Sequence, residues 1–522
     1  MTKPHFYITT PIYYVNDKPH IGHAYTTIAC DVMARFKRLD GFDVKFLTGV
    51  DEHGQKVYQT AHKAGITPQA LADKVSVNFR EMNRLLDITE DQFIRTTEPF
   101  HQKAAQALWQ KMADAGDIYL GKYAGWYSVR DEAFFSEDEL TKDAAGNKTA
   151  PTGAPVEWME EESYFFKLSA WGDRLLDFYE KHPDFIQPSY RKNEVVSFVK
   201  SGLRDLSISR TTFDWGVPVP GDEKHVMYVW VDALTNYISA IGYPNTDSDG
   251  FKNFWPADVH VVGKDILRFH AIYWPAFLMS AGLPAPKRVY AHGWWMAEGQ
   301  KMSKSIGNVI SPEYMVGKYG VEASRYFLLR EVTFGNDGDF SHTAMVNRIN
   351  AELANNLGNL VQRTLSMIAK NCEGKVPQPG ILEDADRELL QKAGQQMLVE
   401  VRDQFEKLQF SRAIEEFISV ANAANLYIDA QAPWKLKKTD PARMATVLYV
   451  LAETIRNLGI IIQPFTPNAA QKILDQVAVG AHERNFSFIG EAHGLKAGTP
   501  LPAPSGAFPR IVDENAEEAK TA

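Results

Sequence analysis

The sequence predicts an α/β half built on a parallel sheet that an insertion divides, followed by an all-α half. Three observations carry that prediction. Short β-rich runs alternate with helical periodicity up to about residue 117, the alternation resumes at about residue 223, and from about residue 341 apolar residues recur only at helical spacing.

"HFYIT" (5 to 9) and "DVKFLTGVDEHG" (43 to 54) are β-rich, and between them Ile21, Tyr25, Ile28, Val32, Phe36 and Leu39 recur at helical spacing, which gives a strand, helix, strand unit. Gly41 ends that helix as a C′ glycine. "TPQALADKVSVNFREMNRLL" opens with Thr67 at the N-cap and Pro68 at N1, and helical stretches continue to about residue 117. From "DIYLGKYAGWYSV" the pattern becomes aromatic hairpins, with "AAGNKTAPTGAP" as a polar loop, so 118–222 reads as an insertion. "VMYVWVDAL", "ADVHVVGKD" and "KRVYAHGWW" read as three β-rich segments, the second followed by the helical "ILRFHAIYWPAFLMSAGL". The expected domains are 1–117 and 223–340 as two halves of one Rossmann-like nucleotide-binding sheet, 118–222 as a connective insertion, and 341–522 as a helix bundle with a polar, mobile tail from "PAPSGAF" onward.

Composition narrows the function. With 522 residues, 45% apolar and 12% aromatic, the chain can bury substantial cores. No charged segment followed by an apolar core opens it, and no run of about 18 apolar residues occurs, so a cytoplasmic protein with no membrane partner is expected. Two distant cysteines, Cys30 and Cys372, exclude a disulfide framework and a cysteine-based metal knuckle. A net charge of −9 excludes a global positive field for nucleic acid, so an RNA partner must be held by local patches.

Two short motifs carry chemistry. "PHIGH" (19 to 23) lies between the first strand and the first helix, where backbone N–H groups and a helix N-terminus can receive a phosphate. His20 and His23 can donate hydrogen bonds to charge developing on a phosphoryl group, with Gly22 allowing close backbone approach. "KMSKS" (301 to 305) alone reads as a solvated loop. In order, and about 280 residues apart, the two resemble the signatures of class I aminoacyl-tRNA synthetases.

Within that class, "TTPIYYVNDKPHIGH", "LTGVDEHGQK", "YVWVDALTNYI", "VVGKDILRFHAIYWPAFL", "AHGWWMAEGQKMSKS" and "QAPWKLKK" are similar to the methionyl-tRNA synthetase family, from about residue 4 into the late helices. The resemblance implies an ATP site with His20, Gly22, His23, Gly293, Lys301, Ser303 and Lys304, in which Lys301 and Lys304 stabilise the pyrophosphate leaving group of Mg-ATP. It implies that Ile12, Tyr14, Trp230, Ala233, Tyr237, Ile266 and His270 enclose a thioether side chain and that Asp51 holds the substrate ammonium. Glu52 and His53 beside Asp51 could serve as ligands or as structural hydrogen-bonding residues. It further implies that Pro433 and Trp434, with Asn359 and Arg363 as partners, read the anticodon of tRNA(Met). Initiator and elongator tRNA are both expected as partners, and a monomer is the default expectation.

One departure stands out. Many relatives carry a zinc knuckle of two Cys-x-x-Cys pairs, and the matching positions here are Ser128, Asp131, Thr149 and Thr152. Hydroxyls are poor zinc ligands beside thiolates, so no zinc and no other protein-bound metal is expected. Leucyl, isoleucyl and valyl enzymes carry an editing domain, for which 118–222 leaves little room. A cysteinyl enzyme would bring a cysteine-ligated zinc beside the first motif, and "TTPIYY" has no cysteine. A non-catalytic RNA-binding protein on the same scaffold would have no use for both motifs.

Overall fold

A computed structural model describes residues 3–15, 17–131, 133–143, 145–302 and 307–512. The α/β half is a seven-stranded sheet in which all pairings are parallel, in the order Ile186–Gln187, Val289–His292, Val259–Gly263, His5–Thr9, Asp43–Asp51, with Tyr13–Tyr14 and Gln92–Arg95 both paired to Asp43–Asp51. Helices cover both faces, so the central strands are buried along nearly their whole length, which accounts for the near-continuous apolar runs in the sequence. His5–Thr9 takes Asp43–Asp51 on one side and Val259–Gly263 on the other. The strand order therefore reverses beside it, and the crevice beyond its carboxyl end is where ligands of open α/β sheets bind.

Three expectations need correction. "VWVDAL" is not a strand: its β-branched and aromatic residues suggested one, but Val229–Ser239 is a helix buried at nearly every position, and burial on all sides erases the amphipathic period. The strand before it, Asp222–Met227, belongs to a separate three-stranded antiparallel sheet. Inside the stretch read as an insertion, Ile186–Gln187 returns to pair with Val289 and Tyr290 of the main sheet, whereas the long antiparallel hairpin of Ile118–Ser128 and Glu157–Phe166 lies in a separate four-stranded sheet. The tail up to residue 512 is held in place: Asn350 bonds both backbone groups of Ile511 at 2.8 and 2.9 Å, and Ala507 is buried against the bundle. Residues 513–522 of that expected tail lie outside the described residues.

The bundle is centred on Pro441–Ile462, against which Phe410–Gln431 packs. By length and apolar content this 22-residue helix could cross a membrane, yet 89% of its apolar stretch is buried inside the protein, as the core helix of a bundle should be. Phe36 stacks on Phe405 at 3.7 Å, and Arg402 pairs with Asp40. Fully buried Arg325 joins three parts: it bonds Asp31 of the first helix (2.6 Å), the Leu86 carbonyl (2.9 Å), and the Pro464 carbonyl of the bundle (2.9 Å). The first helix is thereby fixed relative to the bundle.

Candidate active site

The site begins with a break in the first strand's ladder. His5–Thr9 pairs with residues 43–47, and Tyr13 pairs with Val50, so three residues on one strand face two on the other. Thr10-Pro11-Ile12 holds the extra residue, since proline cannot donate to the ladder, and Thr10 Oγ1 bonds the Pro11 carbonyl and Thr48 instead. This bulge delivers Ile12 and Tyr14 half-buried to the end of the sheet, with Tyr14 opposite Asp51.

The helix Ile21–Leu39 starts with its two histidines locked to its own backbone. His20 is the N-cap; its Nδ1 accepts from Gly22 N–H at 3.0 Å, while His23 Nδ1 accepts from His20 N–H at 3.1 Å. A backbone N–H can only donate, so both neutral imidazoles carry their proton on Nε2. Burial lowers the His20 pKa against the pull of Asp265, and burial and then His20 hold His23 well below 6.5. The pair, with ring centroids 4.0 Å apart, is a neutral double donor. The backbone amides are not the phosphate donors suggested by the sequence: Ile21 N–H bonds the Ile310 carbonyl at 2.9 Å and Gly22 N–H is taken by His20. Gly22 likewise has a different reason to be glycine, because a Cβ there would lie 2.8 Å from Cε1 of the His20 ring. Gly293 is glycine because a Cβ would lie 2.2 Å from the Asn336 carbonyl oxygen.

Four of the expected pocket residues, His270, Ile266, Tyr237 and Trp230, are linked directly. Trp274 N–H, followed by Pro275, reaches back to the Phe269 carbonyl and widens the helical turn Phe269–Tyr273. His270 on that turn donates from Nδ1 to the Ile266 carbonyl (3.0 Å), so its Nε2 accepts the Tyr237 hydroxyl proton (2.7 Å). Burial lowers the His270 pKa to about 4, so the ring is neutral. Trp230 stands edge-on to His270 at 6.1 Å and stacks on Phe269 at 3.8 Å, its buried indole N–H without a hydrogen-bond partner among the described residues. Ile12, Tyr14, Trp230 and Ile266 are half-buried against the apolar cluster that contains Tyr237, while Ala233 and Asp51 are buried. Glu52 and His53 have structural partners: Glu52 accepts from Arg95 (2.7 Å) and Thr97 (2.5 Å), and His53 pairs with Asp232.

The lysine motif starts on a two-residue hairpin. Ala297 pairs with Gln300, and the intervening Glu298 and Gly299 have φ of 50° and 74°, the paired positive values of a type I′ turn. Lys301 Nζ lies 4.9 Å from the Trp294 ring centroid, and Lys264 Nζ lies 4.3 Å from the same ring. Ser303 and Lys304 lie outside the described residues. His292 Nε2 bonds Thr26 Oγ1 at 2.7 Å, which ties the strand leading to this hairpin to the histidine-bearing helix.

In the insertion, the knuckle positions form hydrogen bonds suited to oxygen chemistry. Asp131 takes the hydroxyls of Ser128 (3.1 Å) and Thr152 and pairs with Arg130 (3.2 Å), whereas Thr149 bonds Thr141 at 2.8 Å. One carboxylate and neutral hydroxyls do not fit a tetrahedral zinc site.

In the bundle, Pro433 is buried at the first turn of Pro433–Thr439, and Trp434 is exposed. Arg363 lies over the Trp434 ring at 5.6 Å and pairs with Asp429 at 2.7 Å; Asn359 is exposed one turn before Arg363. Asp429, like Phe269 and Trp294 in the α/β half, has no signal in the sequence, since each is defined by a partner distant along the chain or by one ring contact.

A parallel sheet with a neutral histidine pair at its switch point and a lysine hairpin tied to the same helix defines a class I aminoacyl-tRNA synthetase. The family model described as tRNA synthetases class I (M) matches residues 6–365, and that described as the anticodon binding domain of methionyl tRNA ligase matches residues 376–522. The chain is 59% identical to the methionine–tRNA ligase of Brucella suis over 98% of this chain and 99% of the relative, and 55% identical to that of Rickettsia felis over 97% and 98%. Methionyl-tRNA synthetase of Mycobacterium tuberculosis, solved with methionyl-adenylate, superimposes with a TM-score of 0.95 at 52% identity, covering 97% of this chain and 100% of that one. The chain belongs to the methionyl-tRNA synthetase family.

Proposed function

We propose that the chain activates L-methionine with Mg-ATP, giving methionyl-adenylate and pyrophosphate, and then transfers methionine to the 3′-terminal adenosine of tRNA(Met). The observations that carry the reading are the pair of neutral Nε2–H donors on His20 and His23 and the aromatic cluster of Trp230, Tyr237 and His270, with Asp265 acting electrostatically on both His20 and His270. The methionine carboxylate attacks the α-phosphate in line, the two imidazoles stabilise the crowded phosphorus centre, and Lys301 and Lys304 hold the departing pyrophosphate. Asp51 holds the substrate ammonium, and Ile12, Tyr14, Trp230, Ala233, Tyr237, Ile266 and His270 surround the thioether. The 2′-hydroxyl of the terminal adenosine then attacks the activated carbonyl, with no protein nucleophile. Initiator and elongator tRNA, a cytoplasmic location and a monomeric state complete the reading. Amino-acid-dependent pyrophosphate exchange against all twenty amino acids tests it: exchange with methionine alone is expected, and none with methionine would overturn it.

Three further outcomes are expected. Trp230→Ala should raise the KM for methionine more than that for ATP in the exchange assay, because the indole contributes apolar contact area; equal losses would assign Trp230 to packing. The purified chain should contain no stoichiometric zinc by elemental analysis, and one zinc per chain, lost when Ser128, Asp131, Thr149 and Thr152 are replaced, would contradict that. At saturating substrate, exchange should persist as pH falls from 8 through 6.5 and decline only below. Protonation of His20 or His23 adds a proton at Nδ1 and expels the N–H bond that caps the helix. Because these folded-state pKa values lie below 6.5, the unfolded chain binds more protons under acid, and stability falls with pH over that same lower range. A titration step at 6.5 would show that these histidines are not the buried neutral donors.

A further inference from the structure

Helix Val229–Ser239 presents two faces. At 100° per residue, Trp230, Ala233 and Tyr237 share one side, while Asp232 and Ser239, seven residues apart, share the opposite side. That second side is bound by buried imidazoles. His53 Nδ1 donates to Asp232 Oδ2 at 2.6 Å, and His101 Nε2 donates to Asp232 Oδ1 at 2.7 Å. His101 Nδ1 meets Ser239 Oγ at 2.9 Å, so one ring spans two helical turns. Asp232, His53, His101 and Ser239 are all buried. An ionised carboxylate only accepts, which places the proton of His53 on Nδ1 and that of His101 on Nε2 and leaves His101 Nδ1 to accept the Ser239 hydroxyl. Burial alone would raise the Asp232 pKa; the two imidazoles outweigh it and hold the carboxyl at about 2.

The two anchors lie on different elements, neither of them the helix they hold. His53 follows Asp51 by two residues beyond the strand Asp43–Asp51, and His101 belongs to the helix Pro99–Asp114. We propose that Asp232, clamped by His53 and His101, is a positioning residue that fixes the rotation and depth of the helix bearing Trp230, Ala233 and Tyr237 relative to Asp51, and so sets the length of side chain the amino-acid pocket accepts. The inference rests on the pocket reading given above. A carboxylate linked to both the strand end and the back of the helix holds the ammonium-binding group and the thioether walls at one separation. Its loss lets the walls shift without touching the nucleotide side.

Asp232→Asn tests this in methionine-dependent pyrophosphate exchange, since the two imidazoles bond different carboxylate oxygens and an amide keeps only one accepting oxygen. The KM for methionine should rise about tenfold or more, as expected for a buried hydrogen bond to a charged group, with the KM for ATP and kcat within about threefold of the parent. Discrimination against norleucine and ethionine, which keep the α-amino group and change the side chain, should fall by a similar factor. His101→Gln, which keeps a donor for Asp232, should stay near the parent, and His101→Leu should behave like Asp232→Asn. Equal loss for methionine and ATP, unchanged discrimination, or identical behaviour of the two His101 variants would overturn the proposal. If Asp232→Asn fails to fold, the His101 pair decides alone. Trp230→Ala measured in parallel separates the two readings: if it leaves the methionine KM unchanged, the pocket and the clamp both fall. If it raises that KM while Asp232→Asn does not, the clamp alone falls.

Discussion

Replacing Lys304 with alanine should slow methionine-dependent pyrophosphate exchange by about 10²- to 10³-fold, the usual loss when one donor to developing transition-state charge is removed. Melting temperature should be nearly unchanged. The expected loss comes from charge that develops only during reaction. In the ground state ATP already carries its magnesium and its phosphates, and a lysine that merely bound them would lower KM without raising kcat. A lysine placed at the pyrophosphate is worth most as the bond to the α-phosphate breaks, so kcat and kcat/KM should fall together. Lys301, proposed for the same work, follows the type I′ turn at Glu298 and Gly299 and lies over the Trp294 ring. Lys304 follows three residues later in the motif. The strand that precedes this hairpin is bonded through His292 to Thr26 of the histidine-bearing helix, so the two sequence motifs share one frame. A variant with normal exchange would remove Lys304 from the mechanism.

What the sequence disclosed depended on how local each cause is. The first strand, helix and second strand were readable because their period, the C′ glycine Gly41 (φ 89°) and the N-cap Thr67, which accepts from Ala70 N–H at 3.2 Å, all act within a few residues. The histidine pair was readable as a motif, but its chemistry was not. Only the caps on the two Nδ1 atoms reveal that Nε2 carries both protons and that the backbone amides are occupied. Helix Val229–Ser239 was misread because full burial leaves no polar face to mark a helical period. Asp232 and His53 are 179 residues apart, and Arg363 and Asp429 are 66 apart, so no spacing rule could join them. The knuckle positions show the reverse case: the ligand types alone exclude a thiolate site, and the fold gathers Ser128 and Thr152 around Asp131 while Thr149 bonds Thr141.

Trp434→Ala should reduce charging of tRNA(Met) by about one to two orders of magnitude, because a base stacked on an aromatic ring contributes about 1–3 kcal/mol. The indole is exposed, with the Arg363 guanidinium over its ring and Lys435, Lys437 and Lys438 exposed close behind, so a stacking face and cations for phosphate occupy one short stretch. Pro433 fixes the entry of this helix, and Ala432 before it adopts φ 45°, which sets the abrupt turn from Phe410–Gln431 into Pro433–Thr439. The short helix packs chiefly on Pro441–Ile462, not on the sheet, so adenylate synthesis should be spared. Arg363 adds a competing consideration: its pair with Asp429 holds the guanidinium in place, and removing the indole takes away only one of its two supports. A smaller aromatic face should therefore retain much of the function, and Trp434→Phe is expected to recover most of the charging rate lost in Trp434→Ala. Measuring exchange, charging and melting on the same preparations separates recognition from packing. If Trp434→Ala damages all three alike, Trp434 is a structural residue of the bundle and the anticodon reading must be sought elsewhere.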